Sequence, residues 1–420
     1  MEVPIMKFTP IKSELLDPDY GEQGIAYPDL NLVSINASTV SAKDDKWRLC
    51  VGQTRIGDAL GYALMRIDHN GKLDTTFGKG GLATGTFKEG YNSSSAGIQL
   101  HGEHIIITGT CRDPSTNLEL PALARFTANG QLDTRFGSHG HKVIELPPAP
   151  PKSSTNPTTN PAAAPPLTSI SSTDGVFVTY QYPWSHSVLM KFNFDGDYDT
   201  SFNKVGYKFL TPPQSSESSG RVCLITGRKI YVCGITTIKD DSGPYIVCLK
   251  DTGLEDGEFG ANGYLLSELA SGLYFHDLDT LNDEGSIVCI ASVGLQKGYL
   301  TAFTRSGSKI PGFGGTTEFG GEGGQWTSGY VNRSLEKIIT SGSTLGGEEA
   351  DVVVGRFNLD GTPDTAFGEN RGWGRIALGD SMDIAVRSSA EVTGKTIICG
   401  TDFESGRARV GFLLRCNTDS

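Results

Sequence analysis

Seven histidines, at positions 69, 101, 104, 139, 141, 186 and 276, are the first residues to weigh as metal ligands or proton carriers. A zinc site built by a local segment needs a fixed spacing, such as two histidines one helical turn apart. None of the seven has it, and His139-Gly140-His141 is a lone pair, so they are expected to be solvated loop residues. Two acidic stretches, Asp68–Asp74 and Asn193–Asp199, space oxygen ligands as calcium loops do but lack the closing bidentate glutamate. Both are expected to be hairpin turns. The glycine-rich run 314–324 has no following Lys-Ser or Lys-Thr to cradle a phosphate, and no Gly-x-Ser-x-Gly elbow presents a nucleophile. The four tryptophans, 47, 184, 326 and 373, do not recur at equivalent positions, against one lectin pocket per repeat. The expectation is no metal, no cofactor and no catalytic residue.

The residues that do recur have a different pattern. Gly71-Lys72-Leu73-Asp74-Thr75-Thr76-Phe77-Gly78 returns as Gly130-Gln131-Leu132-Asp133-Thr134-Arg135-Phe136-Gly137, and then in more worn form. Copies are centred on Asp17 and Tyr20, Asp199 and Phe202, Phe259, Phe313, and Asp364, Phe367 and Gly368. The aromatic positions 20, 77, 136, 202, 259, 313 and 367 lie 54 to 66 residues apart. A fixed period of this size means a repeat architecture, in which no single unit can bury a core alone. Eight residues before the aspartate a cation recurs, at Arg66, Arg125, Lys191 and Arg356, with Arg415 in line at the end of the chain. Cys248 and Ala302 replace it in two units. A repeated cation beside a repeated carboxylate is expected to be structural.

These residues need elements to position them. In the second unit, strand-like runs at 96–100, 104–110, 121–127 and 141–146 are separated by turn residues. Asn-Gly and Asp-Gly pairs at 70–71, 129–130, 195–196 and 360–361 suit two-residue hairpins. Four antiparallel strands in each of seven units make an all-β protein, a seven-bladed β-propeller. The last unit supplies only three strands, at 383–388, 395–401 and 407–416, and lacks the motif. The missing motif stands at 16–30, so the N-terminal strand is expected to join the last blade and close the ring, hiding two sheet edges. Residues 7–9 resemble one more edge strand. Residues 147–168, rich in Pro, Ser, Thr and Ala, are expected to form a disordered loop inside a single domain spanning 1–420.

The pattern Ala-x-Arg-Phe-x-x-x-Gly-x-Leu-Asp-x-x-Phe-Gly-x-x-Gly, clearest at 124–140, resembles the bacterial delta-60 repeat. That resemblance implies a propeller with a binding or scaffolding role and brings no catalytic residues. The copy at 254–263 departs from the pattern by an inserted residue, and the copy at 309–315 by the loss of its aspartate.

A net charge of −12 argues against a nucleic-acid backbone or an anionic membrane as partner. No apolar run is long enough for a membrane-spanning helix, and the first residues do not form a secretory signal. The eight cysteines include no CxxC pair, and most sit in apolar strands, where a free thiol behaves as a small hydrophobe. A cytoplasmic monomer is expected. Its function is read as non-enzymatic binding or scaffolding, with a loop face presented to a protein or glycan partner. The alternative is a hydrolase or lyase with its site at the mouth of the central channel.

Overall fold

The computed structural model describes residues 14–40, 46–149, 169–182, 185–239, 241–266, 272–321, 323–345, 350–379, 382–391, 393–403 and 409–419. Most of the Pro-rich segment, the strand-like 7–9 and Trp184 lie outside them. The chain folds as seven four-stranded antiparallel sheets, the blades of a β-propeller. The first blade contains β2 (Leu32–Val40), β3 (Trp47–Ile56), β4 (Ala59–Asp68) and β5 (Leu82–Gly85). The second contains β6 (Asn92–His101), β7 (His104–Arg112), β8 (Glu119–Thr127) and β9 (His141–Val143). β10 (Ser169–Ser171), β11 (Val176–Gln181), β12 (Ser187–Phe192) and β13 (Tyr207–Phe209) make the third. β14 (Glu217–Thr226), β15 (Lys229–Ile238), β16 (Asp241–Lys250) and β17 (Tyr264–Leu265) make the fourth. The fifth has β18 (Leu273–Thr280), β19 (Ile287–Val293), β20 (Lys297–Phe303) and β21 (Gly315–Thr317). The sixth has β22 (Gly324–Asn332), β23 (Lys337–Thr344), β24 (Val352–Asn358) and β25 (Trp373–Ile376).

The seventh blade is made from both ends of the chain. β26 (Met382–Ala390), β27 (Thr396–Phe403) and β28 (Val410–Cys416) are followed outward by β1 (Ile25–Ala26). Ile25 pairs with Leu414 and Ala26 with Leu413, and Leu16 forms a bridge to Cys416. The expected closure is therefore seen. The middle strands of each blade are buried on both faces, as in Ser187–Phe192, so their sequences read as continuous apolar runs rather than alternating ones.

The repeat motif joins neighbouring blades. Phe77, Phe136, Phe202 and Phe259 are at most 1% exposed, Tyr20 1%, Phe367 3% and Phe313 7%. Phe77 lies against Gly130 in the hairpin of the next blade, where a Cβ would stand 2.6 Å from its ring. Gly78, at φ +58°, donates its N–H to Asn129 O of that same hairpin at 2.8 Å. A Cβ on Gly78 would collide with Leu82 O, so the glycine is a steric requirement. The hairpins themselves differ from expectation. At 68–72, Asp68 N–H bonds to Lys72 O and Gly71 N–H to Asp68 O, and of the paired residues only Gly71 has positive φ. This is a three-residue loop, a type I turn completed by a left-handed glycine, rather than a two-residue turn.

The recurring cation and aspartate form one unit with the aromatic ring. Arg66, Arg125 and Arg356 donate Nε–H to Asp74, Asp133 and Asp364 at 2.7, 3.1 and 2.9 Å. Arg415 does the same to Asp17 at 2.6 Å across the chain ends, and Lys191 pairs with Asp199 at 2.8 Å. Each arginine also lies over the ring of its own motif, 4.8 to 5.1 Å from the centroid, a cation–π distance. Its remaining nitrogen reaches a neighbouring blade's loop, as in Arg125 Nη1 to Phe194 O at 2.9 Å and Arg415 Nη1 to His69 O at 2.6 Å.

The fourth copy is in register, which corrects the inserted residue expected there. Asp256 N–H bonds to Cys248 O and Phe259 N–H to Asp256 O, both at 2.9 Å, as Asp74 and Phe77 do in the first blade. With cysteine in the arginine's place, Lys229 from β15 supplies the cation at 2.7 Å. In the fifth copy Ala302 and Ile310 replace both charges together, and the backbone bond between them persists at 2.9 Å.

Candidate functional site

The innermost strands of six blades carry the same irregularity. β6, β14, β18, β22 and β26 each shift register by one residue against the strand behind them, and β2 does so twice. The extra residues include Asn36, Ala96, His276, Thr327 and Val386. A β-bulge turns a side chain out of the pleat, and these five all border one cavity at the axis of the ring, of about 530 Å³. Ser94, Ser95, Thr110 and Gln325 add hydrogen-bonding groups to its wall, and Glu119, Arg221, Asp277 and Arg387 add charge.

Bonds between adjacent inner strands hold this wall. Asn36 Nδ2–H donates to Ser95 O at 2.7 Å, and Thr327 Oγ1–H to Ala385 O at 3.1 Å. Arg221 Nη1–H donates to His276 O at 2.9 Å. Asp277 receives Ser328 Oγ–H at 3.0 Å, Gly329 N–H at 3.4 Å and Leu278 N–H at 3.1 Å. Burial pushes the Asp277 carboxyl above the usual range, against the opposing pull of Arg387, of the Ser328 and Gly329 bonds, and of Arg221. His276 Nε2 lies 2.8 Å from Ser292 Oγ. Burial, helped by Arg221, lowers its pKa to about 3, so the imidazole is neutral at physiological pH. Arg387 is half-buried, and among the described residues no hydrogen bond or ion pair engages its guanidinium.

The histidines do not gather. His141 lies 2.8 Å from the Tyr62 hydroxyl, His101 stacks on Phe194 at 3.4 Å, His186 contacts Ser218 and His104 sits 3.4 Å from Asp133. His101, His104, His141 and His276 are on strands, which corrects the expectation that all seven are loop residues. In the two calcium-like loops, Asp68 Oδ1 accepts from Asn70 and Lys72 N–H, and Asn193 Oδ1 from Asp195 and Asp197 N–H. These side chains close turns. Among the described residues no group of three His, Cys, Asp or Glu is placed to hold a metal ion. The repeat residues Asp17, Tyr20, Asp74, Phe77, Gly78, Asp133, Phe136, Gly137, Asp199, Phe202, Phe259, Phe313, Asp364, Phe367 and Gly368 lie in the blade junctions, and none borders the axial cavity.

Sequence reasoning missed the cavity residues for a definite reason. The motif aromatic and the following bulge residue are 19 residues apart from Phe77 to Ala96 but 17 from Phe259 to His276 and 14 from Phe313 to Thr327. Connections between blades vary in length, so the bulge register drifts against the motif that marks the period.

No protein-family model and no curated protein sequence matches the chain. Several solved structures resemble it in shape at low identity. The β-propeller domain of the Trilobed protease from Pyrococcus furiosus aligns over 93% of this chain and 95% of its own, at 8% identity and a TM-score of 0.47. The polysaccharide lyase Uly1 aligns over 97% and 94%, at 12% identity and 0.48. Drosophila Semaphorin 1a, extracellular domains 1-2, aligns over 93% and 87%, at 7% identity and 0.47. Likeness of this order says nothing of ligand or reaction.

Proposed function

We propose that this propeller is a non-enzymatic binding protein with a glycan partner, and that the axial cavity receives one saccharide unit. The observation that carries the reading is the bulge repeated around the inner strands, five of whose bulge residues, each from a separate blade, border one axial space. A cavity of this size suits a ligand of one or two rings. Its wall of Asn36, Ser94, Ser95, Thr110 and Gln325 suits hydroxyl groups better than an apolar molecule. The blades are proposed to be delta-60 repeats, the chain to work as a monomer, and its thiols to meet a reducing compartment.

The enzymatic reading has one observation in its favour, the neighbouring His276 and Asp277 with displaced pKa values. Against it, His276 faces Ser292, and the Asp277 oxygens are occupied by Ser328, Gly329 and Leu278. Neither is disposed to exchange a proton with a bound molecule. A glycan array probed with the full chain, followed by calorimetry on the hits, tests the proposal. Binding that weakens at least tenfold in Gln325→Ala, with no new reducing ends released on prolonged incubation, is the expected result. Release of reducing ends would move the assignment to the hydrolase or lyase. No binding to any glycan would leave the loop face and a protein partner as the reading to pursue.

A further inference from the structure

Resting on that reading, we propose that the saccharide taken by the axial cavity is an acid, and that its carboxylate is received by Arg387. Arg387 follows the bulge residue Val386 on β26 and borders the cavity. A half-buried guanidinium ordinarily finds an anion or several carbonyls, because its five N–H donors lose water on burial. Among the described residues no hydrogen bond or ion pair engages the Arg387 guanidinium. The nearby acids do not neutralise it by contact. Asp277 is held by Ser328, Gly329 and Leu278, and Glu119 is bound by Arg112 at 2.6 Å. Arg221 borders the same space and gives one nitrogen to His276 O, adding a second positive charge.

A planar guanidinium with an open fork matches the two oxygens of a carboxylate, and its contribution grows in a partly desolvated site. Asn36, Thr110 and Gln325 then face the hydroxyl groups of the same ring. Every group in this arrangement comes from a different blade or strand, so the site exists only in the closed ring.

Calorimetry on the full chain with galacturonate, its short oligomers, galactose and inorganic phosphate tests the inference. Uronate should bind at least tenfold more tightly than galactose. Arg387→Gln should bring the affinities for galacturonate and galactose to within about twofold of each other. Arg387→Lys, which keeps the charge and loses the fork, should recover only part of it. Because no described residue engages the Arg387 guanidinium, both variants should keep the parent's unfolding temperature, and a large fall in either would mean a structural role and overturn the inference. Equal affinity for galactose and galacturonate would overturn the acid preference while the glycan reading stands. Phosphate binding as tightly as uronate would reduce the site to a general anion pocket. Binding of neither sugar nor uronate, by array or calorimetry, would remove the glycan reading and this inference together.

Discussion

The motif aromatic is the residue on which each blade junction turns. Phe77, Phe136 and Phe367 share burial, an overlying arginine and contact with a neighbouring blade. Truncating any of them to alanine should cost about 3–5 kcal/mol, the range for a large aromatic removed from a core. Phe313, without an arginine above it, should cost less; denaturant titration of the four variants measures the ranking. Equal stability of Phe77→Ala and the parent would show that the junction does not depend on the ring. The aspartates beneath give the junctions an acid sensitivity. Hydrogen bonds from Arg135, with the charges of Arg125 and Arg135, hold the Asp133 pKa down to about 2 despite opposing burial. Asp17, Asp74, Asp199, Asp256 and Asp364 are also lowered, by bonds and charges that outweigh burial. A carboxyl whose folded pKa lies below its unfolded value of about 3.9 contributes its stability in full above that value and loses it as pH falls through the folded pKa. Stability should therefore hold from neutral pH to about 4 and fall between about 4 and 2. Fluorescence-monitored unfolding across that range should show the fall, and Asp133→Asn should flatten it.

At the scale of strands and blades, much was legible and some was not. The motif marked the outer turns because most copies use the same aspartate, ring and glycine to meet the next blade, with Ile310 in the aspartate's place in the fifth copy and Asn203 in the glycine's place in the third. The fourth copy looked shifted because Leu254 stands two residues before its aspartate where Leu73 and Leu132 stand one before theirs, and its cation is Lys229, from a different strand than the one that supplies Arg66 or Arg125. Function was far less legible. A bulge residue is set by backbone geometry, and Asn36, His276 and Thr327 share no chemical type that a repeat would reveal. Strand composition did identify the cysteines as core residues. Cys50, Cys111, Cys233, Cys248, Cys289, Cys399 and Cys416 are free and buried. Burial raises the thiols of Cys111 and Cys399 to about 11 and those of Cys248 and Cys416 to about 12, leaving little thiolate to react. A thiol reagent at pH 8 should label few of the eight in the native protein and all after denaturation. Rapid native labelling of most would show that the blades open locally.

For the whole molecule, closure rests on a small contact. β1 contributes two residues to the seventh blade, and Asp17 gathers Arg415 and Lys395, each at 2.6 Å. Tyr20 and the hairpin at Asn70 then tie that blade to the first, with Gly21 N–H on Asn70 O at 2.8 Å. Removing residues 1–30 should strip the outer edge of β28, open the first junction and yield a largely insoluble product. A soluble monomer with an unchanged melting temperature would show that the ring does not need its closing strand. No helix among the described residues is long and apolar enough to cross a membrane.

That two-residue contact also orders events at the ribosome. Ile25 waits for Leu414, and at roughly 5–20 residues per second the interval between their syntheses is about 20–80 s. Throughout it the closing segment has left the ribosome but has no partner strand, while the blades between can form in turn. The segment made near the start is thus among the last to dock, and a pause in translation inside the sixth blade would lengthen its exposure without altering the finished ring.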